Sequence, residues 1–224
     1  MDIAASLRTL KDRMEADASL PLYGEANLVF GEGSPSGGVM FIGEAPGANE
    51  DRLKRPFVGR GGQLLDEAIR AIGWKREEVY ITNIVKRRPP ENRDPLPAEI
   101  AAYRPYLAQQ IAIVDPALIV TLGRFAMNYF APGAKMTRDH GSAFGIDGRI
   151  VFPVYHPAAA LRSTEMMKVF RADFKKIPDV RAGRIATVPP PAITTKVTAN
   201  PFPDDTKPSV KKDGGIPSGQ EGLW

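Results

Sequence analysis

Four short apolar runs punctuate the first 155 residues: VMFI (39–42), VYIT (79–82), ALIVTL (117–122) and IVFPVY (150–155). Stretches of helical periodicity lie between and after them. Leu64, Leu65, Ala68, Ile69 and Ile72 fall on one face of 62–72, and Ile100, Tyr103, Leu107 and Ile111 on one face of 97–114. Arg124–Phe130 and Ala158–Lys176 extend the series. Nearly continuous apolar strands alternating with helices imply strands buried on both faces. The expectation is an α/β fold: three α/β/α layers around a mostly parallel, twisted sheet.

That architecture says where to look for chemistry, because open α/β sheets bind ligands beyond the carboxyl ends of their strands. The runs end at Gly43-Glu44, at Asn83, at Gly123-Arg124 and at His156-Pro157. A glutamate, an asparagine and one of only two histidines therefore share one rim. The Gly43–Gly47 turn fits neither the dinucleotide fingerprint nor the P-loop pattern. Glu50 and Asp51 follow it and would repel a triphosphate. A neutral ring or a developing cation suits the loop better than a phosphate. Each residue also has a plain structural use: Asn83 in a turn, Phe57 in the core, His156 as a satisfied buried ring. His140, in KMTRDHGSAFG, receives no role.

Composition narrows the classes. The chain has 224 residues, no cysteine and two histidines, which excludes thiolate catalysis, cysteine-held metal clusters and a multi-histidine metal site. No run approaches the roughly 18 apolar residues of a membrane helix, and no signal-peptide core is visible, so the expectation is a cytoplasmic protein without membrane contact. A net charge of +4 is compatible with a polyanionic partner. Residues 181–224 hold seven of 21 prolines and almost no apolar periodicity, so 1–180 is read as the folded domain and 181–224 as a flexible, disordered tail.

Five segments together carry a resemblance: VFGEG (29–33), GEAPGANEDRLKRPFVGRGGQLL (43–65), YITNIVKRRPPENRDPLPAEI (80–100), RPYLAQQIAIVDPALIVTLGRFAM (104–127) and VYHPAAALR (154–162). In these the chain resembles the uracil-DNA glycosylase superfamily, most closely its family 4, over roughly residues 15–177. The resemblance implies a monomeric, monofunctional base-excision repair enzyme that flips uracil out of DNA and hydrolyses its N-glycosidic bond. Phe57 looks like the ring that stacks on the base and Asn83 like the amide that reads its edge, with Gly43 and Ala45 lining the pocket. His156 looks like the donor to uracil O2, Glu44 matches the polar residue of the first motif, Glu50 an acid that lines the pocket near C5, and Asn92 a second asparagine near the sugar. Ala45 stands where family 1 carries an aspartate, so water activation is indirect or comes from another residue, with Glu44, Glu50 and Asn92 the candidates. Lys86, Arg87, Arg88, Arg124 and Arg162 are the expected phosphate contacts, and Leu161 the expected wedge.

Family 4 enzymes usually hold a [4Fe–4S] cluster. Its cysteine positions fall here at Asp17, Leu20, Arg87 and Tyr103, so packing and polar contacts are expected in its place and no cofactor is implied. A crosslinking relative of the family traps DNA through a histidine, but the corresponding segment KRRPPENRDP (86–95) contains none, which counts against a covalently trapping uracil-DNA binder. An unrelated nucleotide-binding module is disfavoured by the absent phosphate loop. The chain ends Gln220-Glu221-Gly222-Leu223-Trp224, which resembles bacterial sliding-clamp-binding peptides and makes the clamp an expected partner.

Overall fold

The computed structural model describes residues 2–193, and the first of two compact units spans Met1–Ile193. Its sheet has six strands: β1 (Glu32–Gly33), β2 (Val39–Gly43), β3 (Tyr80–Asn83), β4 (Leu118–Leu122), β5 (Phe144–Ile146) and β6 (Arg149–Val154). They run in the order β1-β3-β2-β4-β6-β5. The four central strands are parallel, and the short edges β1 and β5 are antiparallel to their neighbours. Edge strands of two and three residues leave little unpaired backbone for intermolecular pairing.

Side chains alternate across the sheet, as a pleated strand requires. Met40, Ile42, Tyr80, Ile119 and Val151 face one core. Against them pack α1 (Ile3–Ala16), α4 (Pro97–Val114) and α5 (Arg124–Phe130), through Leu7, Leu10, Leu107, Ile111 and Phe125. Phe41, Ile81, Val120 and Phe152 face the other core, closed by Leu65 and Ile69 of α3 (Arg60–Ala71) and by Phe170, Phe174 and Ile177 of α8 (Thr164–Arg181). Three layers result, as the alternation of elements implied. Every residue of β2 and β4 is buried, which explains why both read as unbroken apolar runs.

Two boundaries differ from the sequence reading. The single helix expected over 158–176 is two, α7 (Pro157–Ala160) and α8. Ser163 between them is extended (φ −156°, ψ 153°) and its hydroxyl accepts the Met166 N–H at 3.2 Å, starting a new helix. The break leaves Leu161 exposed at the sheet rim. The tail expected from 181 also begins too early. Helix α8 runs to Arg181, and Val188 then bridges Phe144, donating to Ala143 O at 2.8 Å while its carbonyl accepts from Gly145 at 3.1 Å. Local composition hid this, because the pairing partner lies more than forty residues away in the chain. The remainder, 194–224, with Gln220, Leu223 and Trp224, lies outside the described residues.

Candidate active site

Gly43 and Asn83 are register partners at the carboxyl ends of β2 and β3, so their side-chain positions meet. A Cβ on Gly43 would sit 2.4 Å from both Asn83 Oδ1 and Phe57 Cζ. Only glycine lets the backbone, the amide and the ring converge. The Phe57 ring lies 5.7 Å from that of His156, tilted by 31°. Gly123, at φ +90°, brings the end of β4 within 3.0 Å of His156 Cβ, measured from the place its own Cβ would take. Gly43, Phe57, Asn83 and His156 thus form one neighbourhood, with Glu44, Ala45 and His156 partly exposed around it.

Three features give this neighbourhood chemical direction. Asn83 is 2% exposed, and its Oδ1 has no hydrogen-bond partner among the described residues. A buried acceptor is normally satisfied. This one is an unpaired acceptor beside the Gly43 backbone and the Phe57 ring.

Second, His156 Nδ1 accepts the Ala158 N–H at 3.1 Å, so a neutral ring carries its proton on Nε2. Burial lowers the His156 pKa to about 4, with Glu50 opposing and Arg162 adding to the shift. At neutral pH the residue is therefore an uncharged N–H donor. Third, burial lifts the Glu44 carboxyl to about 7, helped by Asp94 and opposed by Arg124. It titrates near the middle of the physiological range.

The remaining expected residues separate into groups. Glu50 stands behind Phe57: its Oε1 accepts the Val58 and Gly59 N–H groups at 2.8 and 2.7 Å. Asn92 is exposed at the lip, where its Oδ1 accepts Arg88 Nε at 2.8 Å. Arg124 pairs with Asp94, and Arg124, Leu161 and Arg162 are all exposed.

Lys86 and Arg87 are corrections, for neither offers a free charge to a phosphate. Lys86 is 0% exposed, with Nζ donating to Thr82 Oγ1 at 2.5 Å and Gln110 Oε1 at 2.6 Å. Burial without a carboxylate partner holds its pKa well below the lysine range. Arg87 donates to Ala26 O at 2.6 Å and lies 5.2 Å from the Tyr23 ring centroid.

Two residues escaped the sequence reading. Ala158 fixes the tautomer of His156 through its backbone, which no side-chain pattern announces. Arg76 donates to the Pro56 and Phe57 carbonyls, although KREE (75–78) reads as an ordinary solvated charge run. Two concavities elsewhere on the surface contain none of Gly43, Phe57, Asn83 and His156. One, between α3 and α8, is apolar, and the other surrounds Tyr23, Asn27 and Arg87.

The uracil DNA glycosylase superfamily model matches residues 30–177. This chain belongs to that superfamily. It is 45% identical over 185 residues to a type-4 uracil-DNA glycosylase of Sulfurisphaera tokodaii, covering 77% of this chain and 83% of the relative. A type-4 uracil-DNA glycosylase of Thermotoga maritima is 40% identical over 76% of this chain and 92% of its own length. One of Saccharolobus solfataricus is 44% identical over 72% and 80% respectively.

The iron–sulfur cluster usual in family 4 finds no fitting donors. Tyr103 is fully buried at one of its positions and donates to Pro21 O at 2.8 Å, while Arg87 brings a guanidinium beside it. Leu20 is buried, and Asp17 accepts from Ser19 Oγ at 2.6 Å and Tyr106 Oη at 2.5 Å. A phenol, a guanidinium and an isobutyl group occupy the corner, and the chain has no thiolate to offer.

Proposed function

We propose that the chain is a monofunctional uracil-DNA glycosylase of base-excision repair, using the Gly43–Phe57–Asn83–His156 pocket. The unpartnered Asn83 Oδ1 carries the reading. It suits the ring N–H of an everted uracil, with the amide N–H₂ left to meet the adjacent carbonyl. Cytosine presents the opposite donor and acceptor order at those two positions, so the amide discriminates against it. Phe57 supplies the stacking face, and duplex unstacking costs a few kcal/mol that these contacts offset.

As the C1′–N1 bond breaks, its electron pair leaves with uracil and the sugar becomes oxocarbenium-like. The neutral His156 Nε2–H donates to the oxygen gaining negative charge, the site of largest electrostatic leverage. A cationic imidazole is not needed, and its depressed pKa avoids one. Glu44 takes the proton of the water that adds to C1′, and its carboxylate favours the cation meanwhile. Ala45 contributes backbone and no acid. Lys86 is fully engaged, so its amine does not attack C1′, in line with hydrolysis rather than lyase chemistry. Arg88, Arg124 and Arg162 contact phosphates, and Leu161, 39% exposed, fills the vacated stack.

Incubation with a uracil-containing oligonucleotide followed by alkali tests this. Strand cleavage supports excision, a denaturation-resistant shifted band means covalent trapping, and an unchanged strand overturns the proposal. The proposal extends to a monomeric cytoplasmic enzyme that meets the sliding clamp through Gln220, Leu223 and Trp224. Its support is the sequence pattern alone. Equal clamp binding by the full chain and by a chain truncated at Ser218 would remove that contact.

A further inference from the structure

Phe57 adopts φ +51°, a left-handed backbone that an aromatic residue enters only against resistance. What holds it there is a set of charges on both sides of its peptide planes. Arg76 Nη2 donates to Pro56 O at 2.5 Å and Nη1 to Phe57 O at 3.3 Å. Glu50 Oε1 accepts the next two N–H groups, Val58 and Gly59. The guanidinium is itself fixed: Nε and Nη2 donate to Glu32 Oε1 at 3.0 and 2.8 Å, and Nη1 to Asp66 Oδ1 at 2.5 Å. Its planar fork is thus committed at all three nitrogens, a task the single ammonium of lysine does not reproduce. Gly62 completes the grip, since a Cβ there would lie 1.9 Å from Phe57 O.

We infer that Arg76, outside the pocket in the Arg76–Glu78 turn before β3, is a positioning residue for base excision that acts through Phe57. Glu50 serves the same loop from the opposite side. Carbonyls gripped by a cation and amides gripped by an anion fix the peptide planes flanking Phe57. The ring is thereby aimed at the space beside Asn83 and His156 before any base arrives. Preorganisation of this kind appears in the chemical step more than in affinity for DNA, because the phosphate contacts lie elsewhere. The inference rests on the glycosylase reading above.

Single-turnover excision and inhibition by free uracil are measured for Arg76→Gln, Arg76→Lys and Arg55→Gln, in the natural chain and with Phe57→Ala. Arg55 is the control, because it binds the same Glu32 at 2.7 and 3.0 Å, whereas the two carbonyls are held by Arg76. Arg76→Gln should slow excision on the order of 10- to 100-fold and weaken uracil inhibition in parallel. Arg76→Lys should recover part of the loss, and Arg55→Gln should stay within about twofold. In the Phe57→Ala background the Arg76→Gln loss should shrink to under about threefold, since both changes remove one function.

An undiminished loss in that background, or natural rates and inhibition in Arg76→Gln, overturns the inference. Should Arg76→Gln not fold, Arg76→Lys decides alone. Slower excision and weaker inhibition at an unchanged melting temperature support the inference, and unchanged values overturn it. Failure of the natural chain to excise uracil is a separate outcome that removes the glycosylase reading itself.

Discussion

Asn83 and Lys86 lie three positions apart, and both are buried, at 2% and 0% exposure. The fold treats them in opposite ways. Lys86 sits in a closed circuit: its amine donates to Thr82 and Gln110, Thr82 Oγ1 donates to Phe30 O at 2.7 Å, and Gln110 Nε2 donates to Phe30 O at 3.0 Å and Tyr80 Oη at 2.9 Å. Asn83 Oδ1 has no partner among the described residues. A satisfied buried polar group supports the fold, whereas an unsatisfied one is a standing cost that only a ligand removes. Burial alone therefore does not separate structure from function.

The comparison breaks most readily at the pocket. Asn83→Ala, and likewise His156→Ala, should lower excision at least about 100-fold, the scale for losing one donor at developing charge. Thermal unfolding should show Asn83→Ala close to the natural stability, because the deleted oxygen made no bond. Unfolding at a much lower temperature would mean that Asn83 belongs with Lys86 after all. Gly43→Ala should cost about 30-fold or more, since the new methyl displaces both Asn83 and Phe57.

The pH profile comes next. Glu44 loses its carboxylate as pH falls through about 7, so excision should fall about tenfold per unit below that point, while the His156 donor stays neutral down to about 4. Stability has the opposite sign. The unfolded chain releases the Glu44 proton near 4.5 and the folded chain near 7, so between them the folded state holds the extra proton and this contribution falls as pH rises. Glu44→Gln should flatten both dependences. A rate limb that persists in Glu44→Gln assigns the titration to another group.

Lys86→Met should lower stability by about 1–3 kcal/mol by orphaning Gln110 Oε1. It should leave the salt dependence of DNA binding as it is, because Lys86 offers no charge to phosphate. Smallest is Arg162→Ala or Arg124→Ala, each weakening DNA affinity a few-fold and reducing the log–log salt slope by about 1. A salt slope altered by Lys86→Met and untouched by Arg162→Ala would reverse the assignment of the two sets.

Three residues of the proposed pocket stand at or just beyond strand ends, where period and chain direction already place them. Gly43, Asn83 and His156 needed only the rule that parallel sheets bind at their carboxyl edge. The KRR run at 86–88 misled for the complementary reason. Once β3 ends, nothing local says which way a long side chain turns, and Lys86 and Arg87 turn inward to partners at Gln110 and Ala26. Arg76 was invisible because its ligands come from residues 32, 56, 57 and 66, none within a helical turn of it.

By itself the sequence determined the layering of the molecule, the rim proposed to carry its chemistry, and the exclusion of any thiolate-held cluster, since periodicity and composition are properties of the chain alone. The tertiary structure decided which polar groups are spent and which remain open. It buried Lys86, filled the corner at Asp17, Leu20, Arg87 and Tyr103, and gripped Phe57 between Arg76 and Glu50. Hydrogen-bond satisfaction is a relation between segments distant in sequence, and only their assembly completes it or leaves it undone.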